Sequence, residues 1–292
     1  MLVNSAALAS IYRSFKVAFN KAFDESDTYW KDVATKVPST TKQNDYAWIG
    51  KFPRLKEWVG ERNVKQLAAH GYSIKNKSFE STVAVDRDDI EDDDYGIYKP
   101  MVSEMGKSAK EHPDLLIFKL LKEGFERQCY DGQYFFDTDH KVNGESISNT
   151  GGGTGTPWFL LDVTHALKPL IFQERKKPEF VAKTKVDDDH VFMNKEYLYG
   201  VDYRGNVGYG FWQMAYGSKQ DLTPDNYEAA RSAMMEFKDE DGTPLNIKPT
   251  LLVVPPSLEG AAKEILESDR DANGATNKWK GTAEVLVVPY LA

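Results

Sequence analysis

The chain has 292 residues, 41% hydrophobic and 28% charged, a balance that suits a folded chain larger than one ordinary domain and excludes wholesale disorder. Its 37 basic and 45 acidic residues leave a net charge of −8, so it has no cationic excess with which to displace counterions from nucleic acid. Cys129 is the only cysteine, which excludes an intrachain disulfide, and no apolar run approaches the ~18 residues of a membrane-spanning helix.

The first predicted element is an amphipathic helix. Leu8, Ile11, Phe15, Ala18, Phe19 and Ala22 recur at helical spacing, with Arg13, Lys16 and Lys21 between them. A transit peptide shares this basic, acid-poor character, and the lack of a continuous apolar core with a small-residue cleavage site argues against a secretory signal; residues 1–45 read as an arm that packs on a neighbour or on its own body. Pro38 to Asp45 reads as a polar linker. Residues 46–85 hold two apolar clusters, around Trp48, Phe52, Leu55, Trp58 and Val59 and around Tyr72, Ile74, Phe79, Val83 and Val85; the second steps by two, as a strand does. The reading is a long hairpin that must lie on something else to bury its faces.

Acidic residues crowd Asp86 to Asp94, ahead of a helical pattern in Ile97, Met101, Met105 and Ala109, where they complement the helix dipole. His112-Pro113 predicts a kink or break before a second pattern from Leu115 to Phe125, with Pro113 and Asp114 in its first turn. Gly151 to Gly155 predicts a flexible joint and the internal boundary. Short strands are expected at Trp158–Leu161, Leu170–Gln173, Phe180–Ala182 and Val191–Met193, ahead of a glycine- and aromatic-rich stretch from Tyr197 to Tyr216. Thr223-Pro224 caps a helix buried through Tyr227, Ala230, Met234 and Phe237; Asp241-Gly242 turns; Thr250–Val254 is a buried strand. Ser257 is placed to cap a last helix, Leu258 to Glu267, and Val285–Val288 to form the last strand.

Chemistry is sparse. Asp269-Arg-Asp271-Ala-Asn273-Gly274 matches the first half of a calcium loop, but the position of the bidentate Glu holds Lys280. The Asp86–Asp94 run, Asp187-Asp-Asp189-His190 and Asp137-Thr-Asp139-His140 have no converging spacing and read as polar surface. Cys129 lies eleven residues before His140 with no protease signature and reads as a small packed side chain. No Gly-x-Ser-x-Gly elbow or phosphate loop is present. These residues predict no catalytic, cofactor-binding or metal site.

Three ordered blocks carry a resemblance. The first is Cys129-Tyr-Asp-Gly-Gln-Tyr-Phe-Phe136 with Asp139-His140. The second comprises Lys168-Pro-Leu-Ile-Phe-Gln173, Lys177-Pro-Glu-Phe-Val181, Glu196-Tyr-Leu-Tyr-Gly-Val201 and Arg204 to Gln213. The third is Gly242-Thr-Pro-Leu245 with Lys248 to Glu259. In order and spacing, from Asn44 to the end, they resemble the Mu-like phage and prophage major head subunit family (gpT). The resemblance implies an α+β chain of the Hong Kong 97-type capsid fold. It casts residues 1–45 as the N-terminal arm, 46–85 as an extended loop lying across a neighbour, and 86–150 as the peripheral domain with its spine helix. Residues 151–274 become the axial domain with connecting segments, and 275–292 a strand returning to the peripheral domain. On this view the subunit contacts fall to Phe15, Phe19, Trp48, Phe52, Trp58, Tyr72 and Phe79, since buried aromatic side chains are typical interface anchors.

The implied function is self-assembly into pentamers and hexamers of an icosahedral virion shell enclosing double-stranded DNA. A scaffolding protein, a head protease and a portal are the implied partners, with assembly in the bacterial host cytoplasm and no membrane. An encapsulin-like compartment and, in a different class, a soluble metal-dependent enzyme are the alternatives. Lys56 and Lys65 lie in the extended loop, but no inter-subunit cross-link is assigned to them.

Overall fold

The computed structural model describes residues 4–46, 49, 71–92, 94–185 and 188–292. Helix α1, Ser5–Glu25, begins where Asn4 accepts a hydrogen bond from the Ala7 amide, and it buries Leu8, Ile11, Phe15 and Phe19. A short helix α2 (Trp30–Val33) leads into strand β1 (Ala34–Pro38), so Pro38 ends a paired strand where a linker was expected to begin. Strands β2 (Gln43–Asp45) and β3 (Ser73–Lys75) pair antiparallel and close the base of the 46–72 segment.

The second half of the expected hairpin goes elsewhere. Strand β4, Lys77–Asp86, runs antiparallel along residues 196–205. Its period-two pattern was legible, but a pattern does not name the partner. Asp86 then caps helix α3 (Arg87–Glu91), accepting from the Asp88 amide.

Helix α4, Lys99–Lys122, is one continuous helix through Pro113, where a kink or break was expected, and no break occurs. The missing amide and ring crowding of proline are offset by packing on both sides of that point. Val102, Met105 and Ala109 join one buried cluster with Leu8, Ile11, Phe15, Phe19, Val85, Phe180, Tyr197 and Tyr199. Ile117, Phe118, Leu120 and Leu121 join the other, larger cluster. The spine helix therefore threads two cores, and Pro113 lies where it passes between them.

Strands β5 (His140–Val142) and β6 (Glu145–Ile147) form a small hairpin, and β7 (Thr150–Gly153) and β8 (Trp158–Leu161) follow. Strand β9 runs unbroken from Leu170 to Lys183, merging two predicted strands; helix α5 (Asp189–Asn194) replaces the strand expected at Val191–Met193; strand β10 is Glu196–Tyr209. Asp188 caps α5 through the His190 amide, so the acidic cluster there is a helix start. Next come β11 (Ala215–Lys219), helix α6 (Pro224–Met235), β12 (Leu251–Val254), helix α7 (Glu259–Leu266) and β13 (Glu284–Val287). A 3-10 turn over Pro256–Leu258 precedes α7, whose N-cap is Leu258, so Ser257 is not the cap.

Two principal sheets result. One has the order β1-β9-β10-β4, with α1 and the first half of α4 against it; the other, β13-β12-β8-β11-β7, contains fully buried β8 and β12. The last strand pairs parallel with β12, and the turn after it reaches the spine helix, where Tyr290 stacks on Phe118. Gly151–Gly155 is no loose joint. Thr150–Gly153 is an edge strand beside β11, and a Cβ on Gly151 would lie 2.6 Å from Ser218 Oγ. Thr223 Oγ1 accepts from the Asn226 amide as the sequence indicated, so Thr223→Ala is expected to cost ~0.5–2 kcal/mol of stability, read by urea unfolding.

Candidate functional site

The residues expected to meet neighbours occupy three environments. Phe15 and Phe19 are spent within the chain: Phe15 is 0% exposed, edge-on to Tyr199 at 5.0 Å, and Phe19 lies 5.2 Å from Phe180. Tyr72 and Phe79 are half-buried. The Tyr72 hydroxyl accepts from the Tyr209 amide at 2.6 Å, and Phe79 stacks on Tyr203 at 5.0 Å with His112 packed alongside. Trp48, Phe52 and Trp58 lie outside the described residues.

The two ends of the 46–72 segment are clamped by a buried polar network. The Tyr46 hydroxyl donates to Gln173 Oε1 at 2.7 Å, while Gln173 Nε2 donates to the Ile74 carbonyl and to Asn76 Oδ1. Burial pushes the Tyr46 and Tyr72 hydroxyls up to about 12. Sequence spacing could show Tyr46 and Tyr72 as aromatic anchors, but not that Gln173, from another element, joins them.

Other apolar side chains are left on the surface. Helix α5, between the long strands β9 and β10, presents Phe192 at 83% exposure and Met193 at 75%. Val17 on α1 and Ile97 and Met101 near the start of α4 are also exposed. The sequence reading passed over Phe192 and Met193 because it placed them in a strand.

The acidic clusters turn out to serve the chain's own geometry. Arg87 pairs with Glu91 at 2.8 Å, and the Tyr98 hydroxyl donates to Asp89. Asp271 Oδ1 accepts from the Asn273 and Ala275 amides at 2.9 Å each, and Lys280 pairs with Asp269. The cation at the twelfth position of the calcium-like loop thus neutralises the first.

That loop is one of three with the same backbone. Residues 127–135, 237–245 and 269–277 each follow the end of a helix (α4 with its 3-10 turn, α6 and α7) and each forms a tight antiparallel hairpin. In each, the first residue of a five-residue turn (Cys129, Asp239, Asp271) donates its amide to the carbonyl four residues on. The fourth residue is a glycine with φ of 86°, 78° or 81° that donates back, a conformation costly for any side chain with a Cβ. Asp239 and Asp271 hold their turns with one carboxylate oxygen taking two amides. Cys129 cannot, and Asp131 Oδ1 takes the Gln133 amide in that loop instead.

The Cys129 loop is also the most buried in chemistry. Cys129 Sγ donates to Asp131 Oδ1 at 3.1 Å, and His140 Nδ1 lies 2.6 Å from Asp131 Oδ2. The imidazole is fully buried, stacked on Trp212 at 4.0 Å, and its Nε2 has no hydrogen-bond partner among the described residues. Burial favours the protonated Asp131 carboxyl, but the His140, Cys129 and Gln133 donors outweigh it and lower its pKa. Burial also pushes the Cys129 thiol well up. Cys129 is therefore expected to alkylate slowly with iodoacetamide when folded and rapidly in denaturant; equal rates in both would contradict it. Spacing alone had grouped His140 with Asp137 and Asp139, whereas the fold pairs it with Asp131.

Among the described residues, no helix is long and apolar enough to cross a membrane. Comparison with known proteins adds identity to this geometry. Residues 8–291 match the profile of the family described as the Mu-like prophage major head subunit gpT. The chain is 47% identical to the major capsid protein of Escherichia phage Mu, with all of both chains covered. It is 42% identical to the Mu-like prophage FluMu major head subunit of Haemophilus influenzae, over 96% of each. Among solved structures it is similar to a chain of the bacteriophage JBD30 procapsid, with TM-score 0.87 and 46% identity over 99% of this chain and 100% of that one. It is also similar to a chain of the JBD30 capsid, with TM-score 0.79 and 36% identity, both chains fully covered. The α+β architecture is thus the Hong Kong 97-type capsid fold, and the chain belongs to the Mu-like major head subunit family.

Proposed function

We propose that this chain is a major capsid protein that assembles with copies of itself into the icosahedral head of a Mu-like phage or prophage, enclosing double-stranded DNA. The observation that carries the reading is the full-length match, in sequence and in three dimensions, to a subunit of a phage procapsid. Its role is structural, its place the virion, and its copies form pentamers and hexamers. A scaffolding protein, a head protease and a portal are the partners that such a shell requires. The net charge of −8 suits a wall that surrounds DNA without gripping it.

The division of labour follows the two cores. The sheet β1-β9-β10-β4 with α1 and the first half of α4 forms the peripheral unit, and the five-stranded sheet with α6 and α7 the axial unit. Segment 46–72 leaves from its clamped base as the extended loop, with Trp48, Phe52 and Trp58 as its contacts, and Phe192, Met193 and Val17 are further contacts between copies. A charge placed on an interface anchor blocks docking while leaving the monomer fold alone. Phe192→Asp with Met193→Asp is therefore expected to leave the subunit's unfolding midpoint unchanged and abolish shells. Electron microscopy of the chain expressed with its scaffolding protein reads the outcome. Soluble monomers from the unaltered chain under all assembly conditions would overturn the function; normal shells from the double variant would overturn only the contact.

A further inference from the structure

We propose that Cys129, Asp131 and His140 form a buried binding site for a borderline-soft divalent cation of the zinc class, which ties the turn after the spine helix to strand β5.

The ligand set is of the right kind. Thiolate sulfur, imidazole nitrogen and carboxylate oxygen are the three donors that Zn(II) takes from proteins. Among the described residues this is the one group of three or more such side chains whose ligand atoms all lie within 4.8 Å of one another. Ligands held ~2.0–2.3 Å from a tetrahedral ion stand roughly 3.3–3.8 Å apart, so the tightest contact, His140 to Asp131 at 2.6 Å, has to open by about 0.7 Å.

The two sister loops argue that the cluster is more than a turn device. Asp239 and Asp271 show that this backbone closes with a single carboxylate at its first position. The 127–135 loop replaces that carboxylate with a thiol, moves the amide-binding oxygen to Asp131, and adds a fully buried imidazole from β5. The thiol and the imidazole are not needed to make the turn, and with Asp131 they supply three metal donors.

Charge favours the ion as well. Without a cation, the site holds one buried carboxylate whose partners are a neutral thiol and an imidazole. With one, the ion displaces the thiol proton to solvent, a sulfur–metal bond replaces the S–H bond, and the imidazole keeps its single proton by carrying it on Nε2. Two positive charges then face one thiolate and one carboxylate, an electroneutral set, which is the form in which buried charge is least costly. Asp131 is the one member with appreciable exposure, its side chain 20% accessible, so entry and a solvent fourth ligand fall on its side.

The test uses the purified full-length chain, stripped with a chelator and titrated with Zn2+ and then with Co2+. One Zn2+ per chain should survive gel filtration. Co2+ should produce the near-ultraviolet thiolate-to-cobalt charge-transfer band with the visible bands of a four-coordinate ion. Cys129→Ser and His140→Gln should each lose the band and the stoichiometric metal, while Asp239→Asn and Asp271→Asn, in the sister loops, should keep both. No metal retained by the unaltered chain, cobalt bound without the charge-transfer band, or metal retained equally by Cys129→Ser would each overturn the site. Should a ligand variant fail to fold, the band in the unaltered chain decides alone.

Discussion

Replacing Phe15 by Ala is expected to destabilise the unassembled subunit by ~3–5 kcal/mol. Its ring is fully buried against Tyr199 and Tyr95 and joins α1 to the spine and the long sheet, so truncation leaves a cavity at that junction. Gly106→Ala attacks the same junction from the other helix. A Cβ there would fall inside contact distance of the Phe19 carbonyl oxygen and 3.1 Å from its carbon, and backbone cannot step aside without lifting α1. The expected cost is ~1–3 kcal/mol or more, even though alanine is intrinsically the better helix former by ~1 kcal/mol. Gly260, on the open side of α7, is the control: nothing lies within 4 Å of its added Cβ, so Gly260→Ala should stabilise by ~0.5–1 kcal/mol. Urea unfolding of the three variants separates the readings, and a Gly106→Ala midpoint that rises like that of Gly260→Ala would show that α1 does not seat on α4 as described.

This docking bears on assembly. The arm's apolar stripe was legible as a helix from spacing alone, but spacing cannot distinguish a stripe meant for a neighbour from one meant for the chain's own sheet. Phe15 and Phe19 settle onto Tyr199 and Phe180, residues 184 and 161 positions away, and only a folded chain brings these together. The same limit explains β4. Its alternating Phe79, Val83 and Val85 announce a strand, yet the partner is Tyr203 to Tyr197, three helices further along the chain. Pro113 misled for a different reason. A local rule against proline inside helices was outweighed by two cores gripping the helix on either side. Where elements close on themselves, as in Thr223 capping α6 or Gly242 turning with positive φ, sequence and structure coincide. The three matched turns were also within reach, because Cys129, Asp239 and Asp271 each precede a glycine by three residues after a helical pattern. The buried triad was not, since His140 arrives from the next strand.

Asp114 offers the second large effect, and its sign depends on pH. The carboxylate is fully buried inside α4, one residue past Pro113, where one oxygen accepts from the Tyr29 amide at 3.1 Å and the Trp30 amide at 2.6 Å. It thereby fixes α2 to the spine at the boundary between the two cores. Burial raises its pKa from 3.8 to about 6, against the lowering effect of those two amides. The folded chain therefore holds this proton more tightly than the unfolded chain does. The linked stability is fully present below about pH 4 and is lost as pH rises through about 6, by roughly 2–3 kcal/mol for a shift of this size. Asp114→Asn keeps an oxygen for both amides and removes the titration. Its stability relative to the unaltered chain should rise by that amount between pH 4 and 7, leaving it equal or more stable at neutral pH. Asp114→Ala removes the acceptor and strands two buried amides, each costing about 1–3 kcal/mol, so it should be the least stable of the three at acid pH. Urea unfolding of the unassembled subunit across this range reads all three. Parallel pH profiles for Asp114→Asn and the unaltered chain would mean that Asp114 is as readily ionised folded as unfolded. A neutral Asp114→Ala would mean that the Tyr29 and Trp30 amides find other acceptors and that α2 is held by the packing of Trp30 and Val33.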